Sequence, residues 1–191
     1  MTALTNTEER QAIDNITSCM VSMTFLYEIS LTIQQNNNIP LVDFYESWVK
    51  KLNITDLKLP LTRGIYLGYA YVGLLYAKEN WFDLVPDILL YQSDPIWGLS
   101  TYKPICPKAN NLTLRYFVKR IRNSLGHGYA NAIPTENSEG NGIFDKISIQ
   151  FKDVNQKDLT DTFDVTIKMS DLNIFIRNFQ SIIHQHINKE Q

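Results

Sequence analysis

Cysteine is scarce in this 191-residue chain, and its two copies form no pattern: Cys19 and Cys106 stand far apart, without a CxxC pair. That excludes a thiolate zinc site and argues against a disulfide-stapled scaffold. No apolar run reaches the roughly 18 residues of a membrane span, so a soluble protein with no membrane partner is expected. No Ser/Gly-rich linker interrupts the sequence, and residues 1–191 are expected to form a single domain. The opening MTALTNTEER lacks a basic segment followed by an apolar core, which sets a secretory signal aside and leads us to expect a cytoplasmic location. Three N-x-S/T triplets, at Asn15, Asn53 and Asn111, would matter only in a secreted protein and are taken as chance.

Several catalytic signatures are missing as well. There is no P-loop, no GxGxxG after a strand, no HExxH and no GxSxG. His184 and His186 are two residues apart, about 200° around a helix, and so cannot share a metal. No metal site and no cofactor are expected.

What is present is an uneven charge. Residues 1–94 carry 6 basic and 11 acidic side chains, residues 95–135 carry 6 and none, and residues 136–191 carry 6 and 9. A positive island in an otherwise acidic chain suggests a local anionic partner such as a phosphate backbone, although a solvated helix face would look the same.

Periodicity predicts a mainly helical fold. A first helix is expected to start at Thr5 or Thr7, with the stripe Ile13, Ile16, Met20, Met23, Tyr27 and Leu31, and to end at Asn36–Asn38. Pro40 opens a second, with Leu41, Phe44, Tyr45, Trp48 and Leu52 on one face. From Gly64 to Lys78 the chain is apolar almost all round, as in a core helix or one that meets a partner chain. Its Gly64, Gly68, Gly73 and Ala77 would admit a close neighbour. A short helix around Trp81–Tyr91, interrupted or begun at Pro86, and a Pro-rich connector from Gln92 to Asn110 follow. Next comes LTLRYFVKRIRNSLGHGY, Leu112 to Tyr129, with Leu114, Phe117, Val118, Ile121 and Leu125 on a buried side and Arg115, Lys119 and Arg122 on another. Gly128 suits the end of this helix and would put His127 in its last turn. After a loop at 128–142 the period becomes 2, which predicts a β-hairpin over about 143–169 whose strands are joined by Asp153 to Leu159. A closing helix is expected to be capped by Ser170.

One constellation could carry chemistry: Arg122, Asn123 and His127. Arg122 and His127 lie about 140° apart on a helix, Asn123 and His127 one turn apart, and a bent arginine could still reach a ligand at the helix end. Metal-free RNA cleavage needs a base for the 2′-hydroxyl proton, an acid for the leaving 5′-oxygen and positive charge on the transition state. Histidine suits the proton transfers and arginine the phosphate. One histidine can hardly be acid and base at once, whereas two copies facing each other across a dimer would supply both. From spacing alone, a solvated arginine and a histidine at a helix cap remain the plainer alternative.

Arg122, Asn123 and His127 resemble the R-[N/D/H]-x3-H form of the motif of the HEPN superfamily. The context is similar too: a long helix ending in the motif, Gly128 directly after it, and a closing amphipathic helix. The resemblance implies a HEPN-like helical bundle with a β-hairpin inserted before the last helix, and a metal-independent endoribonuclease acting as a toxin or phage-defence effector. It implies His127 as acid/base, Arg122 on phosphate, Asn123 orienting one of them, and a homodimer that pairs two motifs. Cleavage would leave a 2′,3′-cyclic phosphate and a 5′-hydroxyl. RNA is then the expected partner, held also by Arg115, Lys119 and Arg120 on grounds of charge, and an antitoxin protein is a candidate second partner. Tyr129 extends the match to Arg-x4-His-x-Tyr, similar to toxins whose tyrosine is modified for regulation, but those lack the 143–169 hairpin. The alternative within the superfamily is a non-catalytic RNA- or protein-binding domain.

Overall fold

In the computed structural model the described residues are 6–35, 37–53, 63–76, 81–108, 112–135 and 146–189. They fall into two compact units, Met1–Tyr66 and Leu67–Gln191.

In the first unit, α1 (Asn6–Gln34) precedes α2 (Leu41–Lys51). Pro40 directly precedes α2 with φ −54°, where its missing N–H leaves no helical hydrogen bond unmade. The Phe25 ring packs 4.8 Å from Trp48 and 5.7 Å from Phe44, centroid to centroid. This aromatic contact decides which side of α1 is buried. Ser22 and Phe25 are inside, whereas Met20, Met23 and Tyr27 of the expected stripe are exposed, and so is Leu41 of α2. The Thr5 start, Asn36 and the side chains of Ile13 and Ile16 lie outside the described residues.

The second unit carries the basic helix. α3 (Arg63–Ala70), within which the unit boundary falls, continues as a π-helical segment, Tyr71–Tyr76; Ala77 and Lys78 lie outside the described residues. The expected close approach occurs at Gly73, where a Cβ would stand 2.7 Å from Ile176 Cγ2 on the last helix. Tyr69 fastens the same pair of elements by donating to Asn173 Oδ1 at 2.8 Å. The helix expected over Trp81–Tyr91 is instead two single 3-10 turns, Phe82–Leu84 and Leu90–Gln92. The interruption expected at Pro86 is there, since the residue before a proline is driven to extended backbone, and Val85 has ψ 122°. A third 3-10 turn, Pro95–Trp97, ends at Gly98, whose φ of +70° places its backbone against Asp171.

α4 (Leu114–Gly126) buries all five residues of its expected apolar side. Thr113 caps it, its hydroxyl accepting from Tyr116 N at 3.1 Å. Three antiparallel strands follow rather than two, β1 (Ala130–Pro134), β2 (Ile147–Asn155) and β3 (Asp158–Lys168), in the order β1-β2-β3. The segment read as loop therefore contributes an edge strand. Ala132 is buried and pairs with Ile149, and Pro134 is tolerated because an edge strand leaves one row of N–H positions unpaired. Ile143 lies outside the described residues. The predicted connector is largely strand as well, because pairing continues through Val154 and Thr162 and leaves a short turn around Gln156 and Lys157. Ile149, Phe151, Phe163, Val165 and Ile167 face inward, and Phe117 of α4 meets Phe163 with ring centroids 5.6 Å apart.

α5 (Met169–Lys189) leaves β3 without a loop, so Ser170 is already helical and not the cap expected. Tyr102 pins this junction, donating to Asp171 Oδ2 at 2.5 Å and accepting from Lys168 N at 3.1 Å. Gly73→Ala should lower stability by about 1–3 kcal/mol through overpacking against Ile176, despite alanine's better helix propensity. Urea unfolding of the single variants and of Gly73→Ala with Ile176→Ala should show a double variant less destabilised than the sum, since the second change removes the obstructing methyl groups.

Candidate active site

The end of α4 is fixed in detail, and with it the place of His127. Asn123 O accepts from His127 N at 2.8 Å, Leu125 O from Gly128 N at 3.1 Å, and Ser124 O from Tyr129 N at 2.8 Å. The last two bonds form a Schellman motif, which requires the left-handed backbone that Gly128 supplies with φ +76°. His127 is thus the C-cap residue itself. The chain then enters the sheet, where Tyr129 O accepts from Lys152 N at 3.2 Å.

His127 opens into a cleft of about 310 Å3 between α4 and the β2–β3 turn. Lys119 and Asn123 line it from the helix, Asp153, Lys157 and Asp161 from the strands and turn. The imidazole is 42% exposed, and its Nδ1 lies 3.4 Å from Oδ1 of Asp153, whose side chain is only 2% exposed.

Below the cleft is a buried charge network centred on Arg120. Its Nε stands 2.7 Å from Asp153 Oδ2, a charge contact rather than a well-aligned hydrogen bond. Nη1 donates to Asp161 Oδ1 and to Tyr116 OH, each at 2.9 Å. Nη2 donates to the carbonyl oxygens of Asp153 and Asp161, each at 3.2 Å. The four Nη donor positions of the guanidinium are all hydrogen-bonded, and Nε is held by charge alone. Burial works against the Arg120 charge, but the hydrogen bonds to Tyr116 and Asp161 and the nearby Asp153 carboxylate outweigh it and hold its pKa above the usual value. Burial likewise raises the Tyr116 hydroxyl, while Arg120 pulls it down.

Arg120 is therefore not the surface cation that charge alone suggested; its side chain joins helix and hairpin and faces two carboxylates. Arg115 is tied to backbone, donating to Val85 O at 2.7 Å and Asp83 O at 3.0 Å. Lys119 is exposed and lines the cleft. Asn123 accepts from Arg122 Nη1 at 3.3 Å and donates to Asp153 Oδ2 at 3.4 Å, a weak bridge between the two. Arg122 is half-buried and does not line the His127 cleft. Tyr129 is exposed, its ring 6.2 Å from that of His127 and nearly perpendicular to it.

Asp153, Asp161, Tyr116 and Lys157 were absent from the sequence-based site. A signal existed for the first two. Asp153 continues the inward phase of Ile149 and Phe151, and Asp161 that of Phe163 and Val165, so each strand carries a carboxylate on its buried face.

Arg120→Ala should cost about 3–5 kcal/mol by leaving buried carboxylates without their cation, whereas Lys119→Ala should stay within about 0.5 kcal/mol. Thermal or urea unfolding of the two variants measures the difference.

Among the described residues no helix is long and apolar enough to cross a membrane, and no three His, Cys, Asp or Glu side chains are grouped as metal ligands. Comparison with curated proteins and with solved structures gives no match. The family model described as HEPN pEK499 p136 matches residues 6–190, nearly the whole chain and both of its compact units. The chain, with its Arg122-x4-His127 motif at the end of a buried-faced helix, belongs to this HEPN family.

Proposed function

We propose that this HEPN protein is a metal-independent endoribonuclease that works as a homodimer, in the setting of a toxin or phage-defence effector. The observation that carries the proposal is the exposed imidazole of His127, held at a rigid helix end in a polar cleft beside Lys119 and Lys157. Histidine exchanges protons near neutral pH, and the two lysines suit an RNA phosphate backbone.

In the reaction, one imidazole takes the proton of a ribose 2′-hydroxyl as its oxygen bonds to the adjacent phosphorus. The bond from phosphorus to the 5′-oxygen breaks, and an imidazolium returns a proton to that oxygen. A 2′,3′-cyclic phosphate and a 5′-hydroxyl result. One cleft is lined by one histidine, so a single protomer is short of an acid–base pair. Two helix ends brought together supply two histidines, with Arg122 stabilising charge on the shared phosphate. The Tyr129 ring stands 6.2 Å from that of His127, centroid to centroid, and its exposure suits control by an antitoxin that modifies the tyrosine.

The wild type should degrade RNA in EDTA, and His127→Ala should lose on the order of 100-fold or more of that rate. Arg122→Ala should also be strongly impaired; equal degradation by all three proteins would refute the assignment. Light scattering at micromolar concentration should give a dimer mass, and a monomer would count against the paired site.

A further inference from the structure

We infer that Asp153 is the positioning residue of this site: its buried carboxylate keeps a proton on His127 Nδ1 and so makes Nε2 the atom that exchanges protons with RNA. The catalytic half of this inference rests on the ribonuclease proposal above; the tautomer does not.

The two carboxylate oxygens of Asp153 have different surroundings. Oδ2 faces Arg120 Nε at 2.7 Å and Asn123 Nδ2 at 3.4 Å. Oδ1 is buried and has no hydrogen-bond partner in this geometry, and the group ahead of it is His127 Nδ1 at 3.4 Å. An ionised carboxylate oxygen only accepts, and it would repel a ring-nitrogen lone pair while attracting an N–H. Of the two neutral tautomers, the one protonated on Nδ1 is therefore selected. The imidazole edge next to Asp153 is the inner one, because the carboxylate is 2% exposed and the imidazole 42%. Nε2, on the outer edge, then carries the lone pair that can accept the 2′-hydroxyl proton, or the proton that can be given to the 5′-oxygen.

The carboxylate is held rigidly enough to act in this way. Asp153 lies in β2 directly opposite Phe163 of β3, and Arg120 contacts both its side chain and its carbonyl. Nothing in the Arg122-x4-His127 motif supplies this partner. It comes from the hairpin placed between the motif and the last helix.

The test uses the 191-residue protein labelled with 15N-histidine, observed by long-range 1H–15N correlation at alkaline pH. Assignment comes from comparison with His127→Ala. Wild-type His127 should show the Nδ1–H tautomer, and Asp153→Asn should move it toward Nε2–H, with circular dichroism showing that the variant is folded. A predominant Nε2–H tautomer in the wild type would overturn the inference without any variant being needed. In RNA cleavage, Asp153→Asn should lower kcat by on the order of 100-fold or more with KM changed less than about threefold, as expected of a histidine held in the wrong tautomer. Cleavage by Asp153→Asn at the wild-type rate would overturn the catalytic half. A wild type that shows the Nδ1–H tautomer and cleaves no RNA would instead support the positioning by Asp153 and refute the ribonuclease proposal.

Discussion

The Arg120 guanidinium is the point on which the second unit turns. A buried cation is costly unless it is paired and hydrogen-bonded, and here the acceptors come from α4 itself through Tyr116 and from both strands of the hairpin through Asp153 and Asp161. That requirement fixes how far α4 lies along the sheet. The apolar contacts are compatible with it, Phe117 against Phe163 among them, but hydrophobic surfaces alone tolerate sliding. Four directed hydrogen bonds and a charge contact do not. The charge network thus sets the register that brings His127 and Asp153 together.

The same network changes the meaning of the positive island. Six cations without an acid between residues 95 and 135 suggest an extended anion-binding surface. In the fold, Arg120 faces inward to Asp153 and Asp161, Arg115 holds the backbone at Asp83 and Val85, and Lys108 pairs with Asp158. Local sequence contains no acid to cancel these charges because the three carboxylates that pair with Arg120 and Lys108 lie on strands more than 30 residues further on. The cations facing the cleft are fewer, and one of them, Lys157, lies outside the island altogether.

Much of the architecture was legible from periodicity. The five inward residues of α4, the Gly128 cap and the alternation in β2 and β3 are local patterns with local causes. Where reading failed, a tertiary partner had decided. Phe25 outcompeted the Met20 and Met23 stripe because the aromatics of α2 met it. β1 reads as loop in the sequence because a short edge strand with a proline makes sense only beside the strand that pairs with it. Arg122, Asn123 and His127 stand out in the sequence through the HEPN resemblance and its helical context, whereas their spacing alone fits a solvated arginine and a helix-cap histidine as well. Asp153 could not be joined to them, because the buried-face alternation that marks it had been assigned to a turn.

The His127 cleft also has a place in the order of folding. Arg120 must find Asp153 and Asp161, 33 and 41 residues away in the chain, and such contacts form only after the entropy of closing long loops has been overcome. A chain still being synthesised has α4 and its histidine well before β3 exists. In that interval His127 has neither its carboxylate neighbour nor the walls of its cleft. A chain whose synthesis has not yet passed β3, or one cut before it, therefore lacks the assembled site.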